Sequence, residues 1–122
     1  MISIELDTPE PVVVGTEIRG RAVLTPVPGN RAQAVHVTLR WRTEGRGDTD
    51  RATIGEASFP FPAAALAEPT SFPFRFLLPE DGPVTYFGNL LTIHWEIQAR
   101  LDVPWAIDPK VERRFVVVPR VM

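Results

Sequence analysis

The chain has 122 residues, 44% of them hydrophobic and 23% charged, with a net charge of −2 and no cysteine. A chain of that size suits one domain, able to bury roughly two-thirds of its unfolded surface without a metal or a disulfide. The small net charge argues against an electrostatic search for nucleic acid, the missing cysteines exclude disulfides, thiolate catalysis and cysteine-ligated zinc, and no apolar run approaches the ~20 residues of a membrane span.

Alternation with period two, the pattern of strands half buried on one sheet face, recurs from one end of the chain to the other. Ile2 to Leu6 opens the series and ends at the turn residues Asp7-Thr8-Pro9-Glu10-Pro11. Glu17 to Leu24 follows, interrupted by Gly20, which marks a bulge or a close backbone approach. After Pro26-Val27-Pro28-Gly29-Asn30 comes Ala34 to Arg42, which sends Val35, Val37, Leu39 and Trp41 to one face and His36, Thr38, Arg40 and Arg42 to the other. A glycine-bearing turn, Glu44 to Asp48, leads to Arg51 to Phe59. Pro62 to Glu68, with its alanines, is the stretch compatible with a helical turn.

Ser71 to Leu78 puts Phe72, Phe74 and Phe76 on one face, and Pro73, which has no N–H to donate, belongs at an edge or a bulge. Beyond Pro79-Glu80-Asp81-Gly82-Pro83, the longest run extends from Leu91 to Val103. It alternates Leu91, Ile93, Trp95, Ile97, Ala99, Leu101 and Val103 with Thr92, His94, Glu96, Gln98, Arg100 and Asp102. Val111 to Val118 closes the chain. Seven short strands and thirteen prolines predict an all-β fold, an immunoglobulin-like two-sheet antiparallel sandwich spanning residues 1–122 as a single domain. In that topology the third and sixth strands are neighbours, and Trp41 and Trp95 help fill one core.

Several stretches taken in order resemble the arrestin-like domain, one half of an arrestin or of a bacterial sporulation-control protein. Gly15-Thr16-Glu17-Ile18-Arg19-Gly20, running on to Leu24, is similar to the family's "G-x-x-I-x-G" strand pair. Val35 to Trp41 followed by Thr43-Glu44-Gly45 is similar to its next strand and glycine-containing loop. Phe74-Arg75-Phe76-Leu77-Leu78-Pro79, leading to Pro83-Val84-Thr85-Tyr86-Phe87-Gly88, looks like "F-x-F-x-L-P…P-S-Y-x-G", with Thr85 in the serine's place. Ile93 to Asp102 is similar to its long "I-x-Y-x-I-x-A-x-[LV]-D" strand. The resemblance implies an arrestin-like sandwich that serves as a binding scaffold. A lone half does not inherit the family's switch, which depends on contacts between two halves.

Catalytic chemistry finds little support in the residues. Ser3, Ser58 and Ser71 lie in or beside strands, without the G-x-S-x-G frame of a nucleophile elbow. The pairs Asp48 with Asp50 and Glu80 with Asp81 fall in turns, where carboxylates bond the local backbone. His36 and His94 occupy polar faces of neighbouring strands, and if the register set them opposite each other, Glu96 or Thr38 beside them would still leave a metal site short of ligands. The arginines Arg19, Arg21, Arg40, Arg42 and Arg100 make a basic outer face if their strands share a sheet, tempered by Glu17, Glu96 and Asp102.

Tyr86, Phe87 and Trp105 stand in Gly/Pro-bearing loops, either as interface anchors or tucked under the sheets as corner residues. The expected function is therefore a non-enzymatic protein-interaction or scaffold module acting through sheet edges or loops. Its partner is another protein or a second copy paired edge to edge. No cofactor or metal is expected. A carbohydrate- or small-ligand-binding module built on Tyr86 and Trp105 is the alternative, and a metal-assisted enzyme built on His36 and His94 the third reading. The N-terminus MISIELDTPEPVVVG has no signal-peptide pattern, so the expected location is cytoplasmic, without membrane insertion.

Overall fold

A computed structural model describes residues 2–25, 32–45, 50–61, 68–88, 91–104 and 107–120. Its strands are β1 (Ile2–Leu6), β2 (Val12–Val13), β3 (Glu17–Leu24), β4 (Ala34–Gly45), β5 (Arg51–Pro60), β6 (Thr70–Leu77), β7 (Tyr86–Phe87), β8 (Leu91–Asp102), β9 (Lys110–Phe115) and β10 (Val117–Val118). One sheet has the order β1-β3-β6; the other runs β5-β4-β8 and carries both β7 and β9 on the far edge of β8. The predicted all-β sandwich is what forms, and the third and sixth predicted strands, β4 and β8, are indeed neighbours, paired from Ala34↔Asp102 to Gly45↔Leu91. The pair β2 and β10 runs parallel. The seven predicted strands are all found, the last split at Val116 into β9 and β10, and two short strands were not predicted: β2, and β7, which takes Tyr86 and Phe87 out of the loop expected for them. The stretch 62–67, where a helical turn was compatible with the sequence, lies outside the described residues.

The core is where the inward faces meet. Ile18, Ala22 and Leu24 from β3 and Phe74 from β6 face Val35, Val37 and Leu39 from β4 and Trp95, Ile97 and Ala99 from β8, and all are buried. Trp95 and Trp41 pair across β4 and β8, with Trp95 fully enclosed and Trp41 partly buried against the same core. One flank is closed by aromatics from both sheets: Phe72 lies 5.5 Å from Phe59 and 5.7 Å from Phe61, ring centre to ring centre. Gly55 is needed on that flank, since a Cβ there would stand 2.7 Å from the Phe76 ring. Gly20 makes a close approach of the kind its place in the strand suggested, since a Cβ there would stand 2.3 Å from the Glu5 carbonyl oxygen.

Two edges carry features that discourage strand addition. Pro73 sits on β6, the edge strand of its sheet, as a residue with no ladder donor must. On the opposite sheet the edge strand β5 slips register, Leu39 pairing with Gly55 and Arg40 with Thr53, so that Ile54 is the extra residue of a bulge. No helix among the described residues is long and apolar enough to cross a membrane.

Candidate functional site

The arrangement of interest lies at the β7 end of the larger sheet. β7 covers only Thr92 and Ile93 of the β8 edge, and β9 takes over at Trp95, leaving a notch at His94. The segment leading into β7 is held from several directions. The Trp95 indole N–H donates to the Pro83 carbonyl at 2.9 Å, the Thr85 amide donates to the Val117 carbonyl at 2.9 Å, and the Val117 amide donates to Thr85 Oγ1 at 2.8 Å. Thr85 thus supplies a hydroxyl acceptor that ties the segment before β7 to β10. Gly88 completes the turn by donating its amide to the Leu91 carbonyl at 2.9 Å. A Cβ on Gly88 would stand 2.5 Å from the Tyr86 ring, so the Tyr-x-Gly order lets the tyrosine ring lie over bare backbone.

Strand alternation separates the two aromatics. Phe87 pairs with Thr92 and shares the outer face with His94, its ring edge-on to the imidazole at 6.2 Å, while Tyr86 pairs with Ile93 on the other face. Both are exposed, Tyr86 by 53% and Phe87 by 72%, so neither is tucked under the sheets. Leu91 and Val116 add further exposed apolar surface nearby. Trp105 lies outside the described residues. Beside Phe87 the notch opens into a cleft of about 260 Å³, walled by Phe87, Trp95, Phe115 and Val116, with His94 and Arg114 among its polar residues and Glu10 also lining it.

The outer face behind the cleft carries a charge network. Arg40 Nε donates to Glu96 Oε1 at 2.7 Å and Arg40 Nη2 to Glu112 Oε1 at 3.0 Å. Arg42 Nε lies 3.6 Å from the same Glu96 oxygen. Glu44 serves three partners: Arg42 at 3.3 Å, His94 at 3.2 Å and Arg114 at 3.5 Å. Glu96 was expected on a solvated face and is instead fully buried. Alternation places it correctly on the outer side, but the arginine side chains from β4 lie across it and exclude water. Its Oε2 has no hydrogen-bond partner among the described residues.

The other candidates are dispersed. His36 pairs with Arg100 and His94 with Arg42, six positions apart along β8 and hence roughly 20 Å, so the two histidines do not share a site. No group of three or more potential metal ligands occurs among the described residues. Arg19 and Arg21 are on β3 and Arg40, Arg42 and Arg100 are on the other sheet, so the basic stripe does not form. A contact that one-strand-at-a-time reasoning missed joins His36 Nδ1 to Ser58 Oγ at 2.8 Å across β4 and β5. It resembles a nucleophile and base. The nearest carboxylate, Asp102, accepts from Gln33 at 3.1 Å and stays 3.9 Å from the His36 ring, beyond hydrogen-bonding distance, so it does not orient the imidazole. Asp108 accepts from the Val103 amide and from Arg100, and these bonds hold its carboxyl below the usual carboxylate range.

The comparisons with known proteins support an arrestin-like fold for this two-sheet sandwich. The model of the arrestin (or S-antigen) N-terminal domain matches residues 69–122, the part of the chain that builds β7, β8 and all of the cleft lining except Glu10. Among solved structures, the chain is similar to Spo0M, a sporulation control protein from Bacillus subtilis. The two share 23% identity with a TM-score of 0.63, over 95% of this chain and 48% of the other. That likeness is one of fold, and this chain spans about half the length of Spo0M. A comparison with curated proteins finds no match.

Proposed function

We propose that this chain is a non-enzymatic, cytoplasmic protein-interaction module that engages its partner through the β7 end of the larger sheet. The observation that carries this reading is the exposure of Phe87, at 72%, next to Tyr86 and Leu91 on a segment pinned by the Trp95 and Thr85 hydrogen bonds. A soluble domain gains nothing in stability from large apolar groups held in water, and rigidly presented aromatics are the usual anchors of interfaces. The blunted edges of β5 and β6 favour recognition by side chains over backbone strand pairing. The structural neighbour Spo0M is a sporulation control protein, and a regulatory scaffold agrees with that role. The test is recovery of partners from lysate of the native cell with the wild-type chain, Phe87→Glu and Leu77→Glu as bait. Leu77 is 65% exposed on β6, in the other sheet, and serves as the control. Proteins retained by wild type and the Leu77 variant and lost with Phe87→Glu support the reading; an unchanged set overturns it.

A further inference from the structure

The cleft beside Phe87 has a size and a charge pattern that together describe what enters it. At about 260 Å³ it falls below the roughly 300–1,000 Å³ of small-molecule sites, yet is large enough for one bulky side chain. Phe87 and Val116 are its exposed apolar walls and the buried Trp95 and Phe115 lie at its base, and its position in the notch between β7 and β9 brings a group from outside to the rim of the core.

The polar residues around it are unevenly satisfied. Glu10 is already held by Arg113 Nη2 at 3.0 Å. Glu44 is shared among Arg42, His94 and Arg114, and the Arg114 approach, at 3.5 Å, is the longest of the three. The Arg114 side chain is 51% exposed. Its guanidinium therefore has donors to spare, arranged in the planar fork that suits a carboxylate.

We propose that the cleft receives one large apolar side chain of a protein partner, with an acidic residue adjacent to it in that partner held by Arg114. This rests on the interaction reading above and names the chemistry of the partner. The apolar group supplies the buried area and the carboxylate takes a closer bond from the half-exposed Arg114 than the shared Glu44 does at 3.5 Å, so the two features are recognised together.

The test is an NMR titration of the isotope-labelled full chain with three capped tetrapeptides, acetyl-Ala-Glu-Phe-Ala-amide, its Glu-to-Lys analogue and its Phe-to-Ala analogue. The first shifts the signals of Phe87, His94, Arg114 and the Trp95 indole saturably, the lysine peptide binds at least tenfold more weakly, and the alanine peptide produces no saturable shift. Arg114→Gln, an exposed change whose spectrum reports that the fold is kept, removes the preference for glutamate while leaving the need for phenylalanine. Equal binding of the glutamate and lysine peptides overturns the proposal, as does the absence of shifts at these positions. Either failure, with partner recovery still dependent on Phe87, leaves the interaction surface standing without this cleft as its pocket; loss of both removes the surface as well.

Discussion

Glu96 is the residue whose removal tests the energetics of the larger sheet. It is fully buried, accepts from Arg40 at 2.7 Å and lies 3.6 Å from Arg42. Substituting Glu96→Ala leaves Arg40, with 17% of its side chain exposed, facing a cavity with Glu112 as its remaining partner. Breaking a buried pair by removing one member costs about 3–5 kcal/mol, and the surviving Arg40–Glu112 and Arg42–Glu44 bridges place the expected loss at the lower end of that range, about 3 kcal/mol. Urea unfolding of a domain this size has a slope of about 1–3 kcal/mol per molar, so the midpoint falls by more than ~1 M. A double-mutant cycle with Arg40→Ala isolates the pair, and its coupling changes little between low and high salt because buried charges are weakly screened. The exposed pair Arg21 with Glu5, at 2.6 Å, is worth ~0.2–1 kcal/mol and weakens as salt rises. A loss below ~1 kcal/mol for Glu96→Ala, or a coupling as salt-sensitive as that of the surface pair, refutes the burial argument.

Other outcomes follow from the same contacts. Gly88→Ala drives a Cβ into the Tyr86 ring at 2.5 Å and towards the Leu91 carbonyl at 2.8 Å; overpacking of this kind costs roughly 1–3 kcal/mol, measurable as a lower thermal midpoint together with altered Tyr86 and Leu91 resonances. Phe87→Ser removes a side chain that is 72% exposed and shifts stability by no more than ~0.5 kcal/mol, so any loss of partner binding is separable from folding by denaturation. Asp108, whose carboxyl is held low by Val103 and Arg100, contributes stability that is fully present above the unfolded aspartate value of about 3.9 and is lost as pH falls through its lower folded value. The difference in unfolding midpoint between wild type and Asp108→Asn is accordingly constant from neutral pH down to about 5 and narrows below 4.

Periodicity made β3, β4, β6 and β8 readable because each alternates over eight or more residues against a core that covers one face. β2, β7 and β10 are two residues long, too short to carry a period, and they exist because the Thr85–Val117 and Val12–Val116 backbone bonds tie neighbouring segments together. Glu96 shows a different limit. Alternation reports which side of the sheet a residue faces, but the arginines that bury Glu96 come from a strand more than fifty positions away in sequence. Register, which separates His36 from His94 and joins His36 to Ser58, is likewise a property of paired strands. Of the aromatic residues singled out in the sequence, Tyr86 and Phe87 are found exposed, with the cleft beside Phe87. The cleft itself follows from β7 ending one residue short of β9 along β8.

The measurement closest to the central claim is photocrosslinking in the native cell with benzoylphenylalanine placed at position 87, compared with the same group at position 77 on the other sheet. The interaction reading predicts a discrete protein adduct from position 87 that is missing from position 77. No adduct at position 87, or the same adducts from both positions, contradicts it.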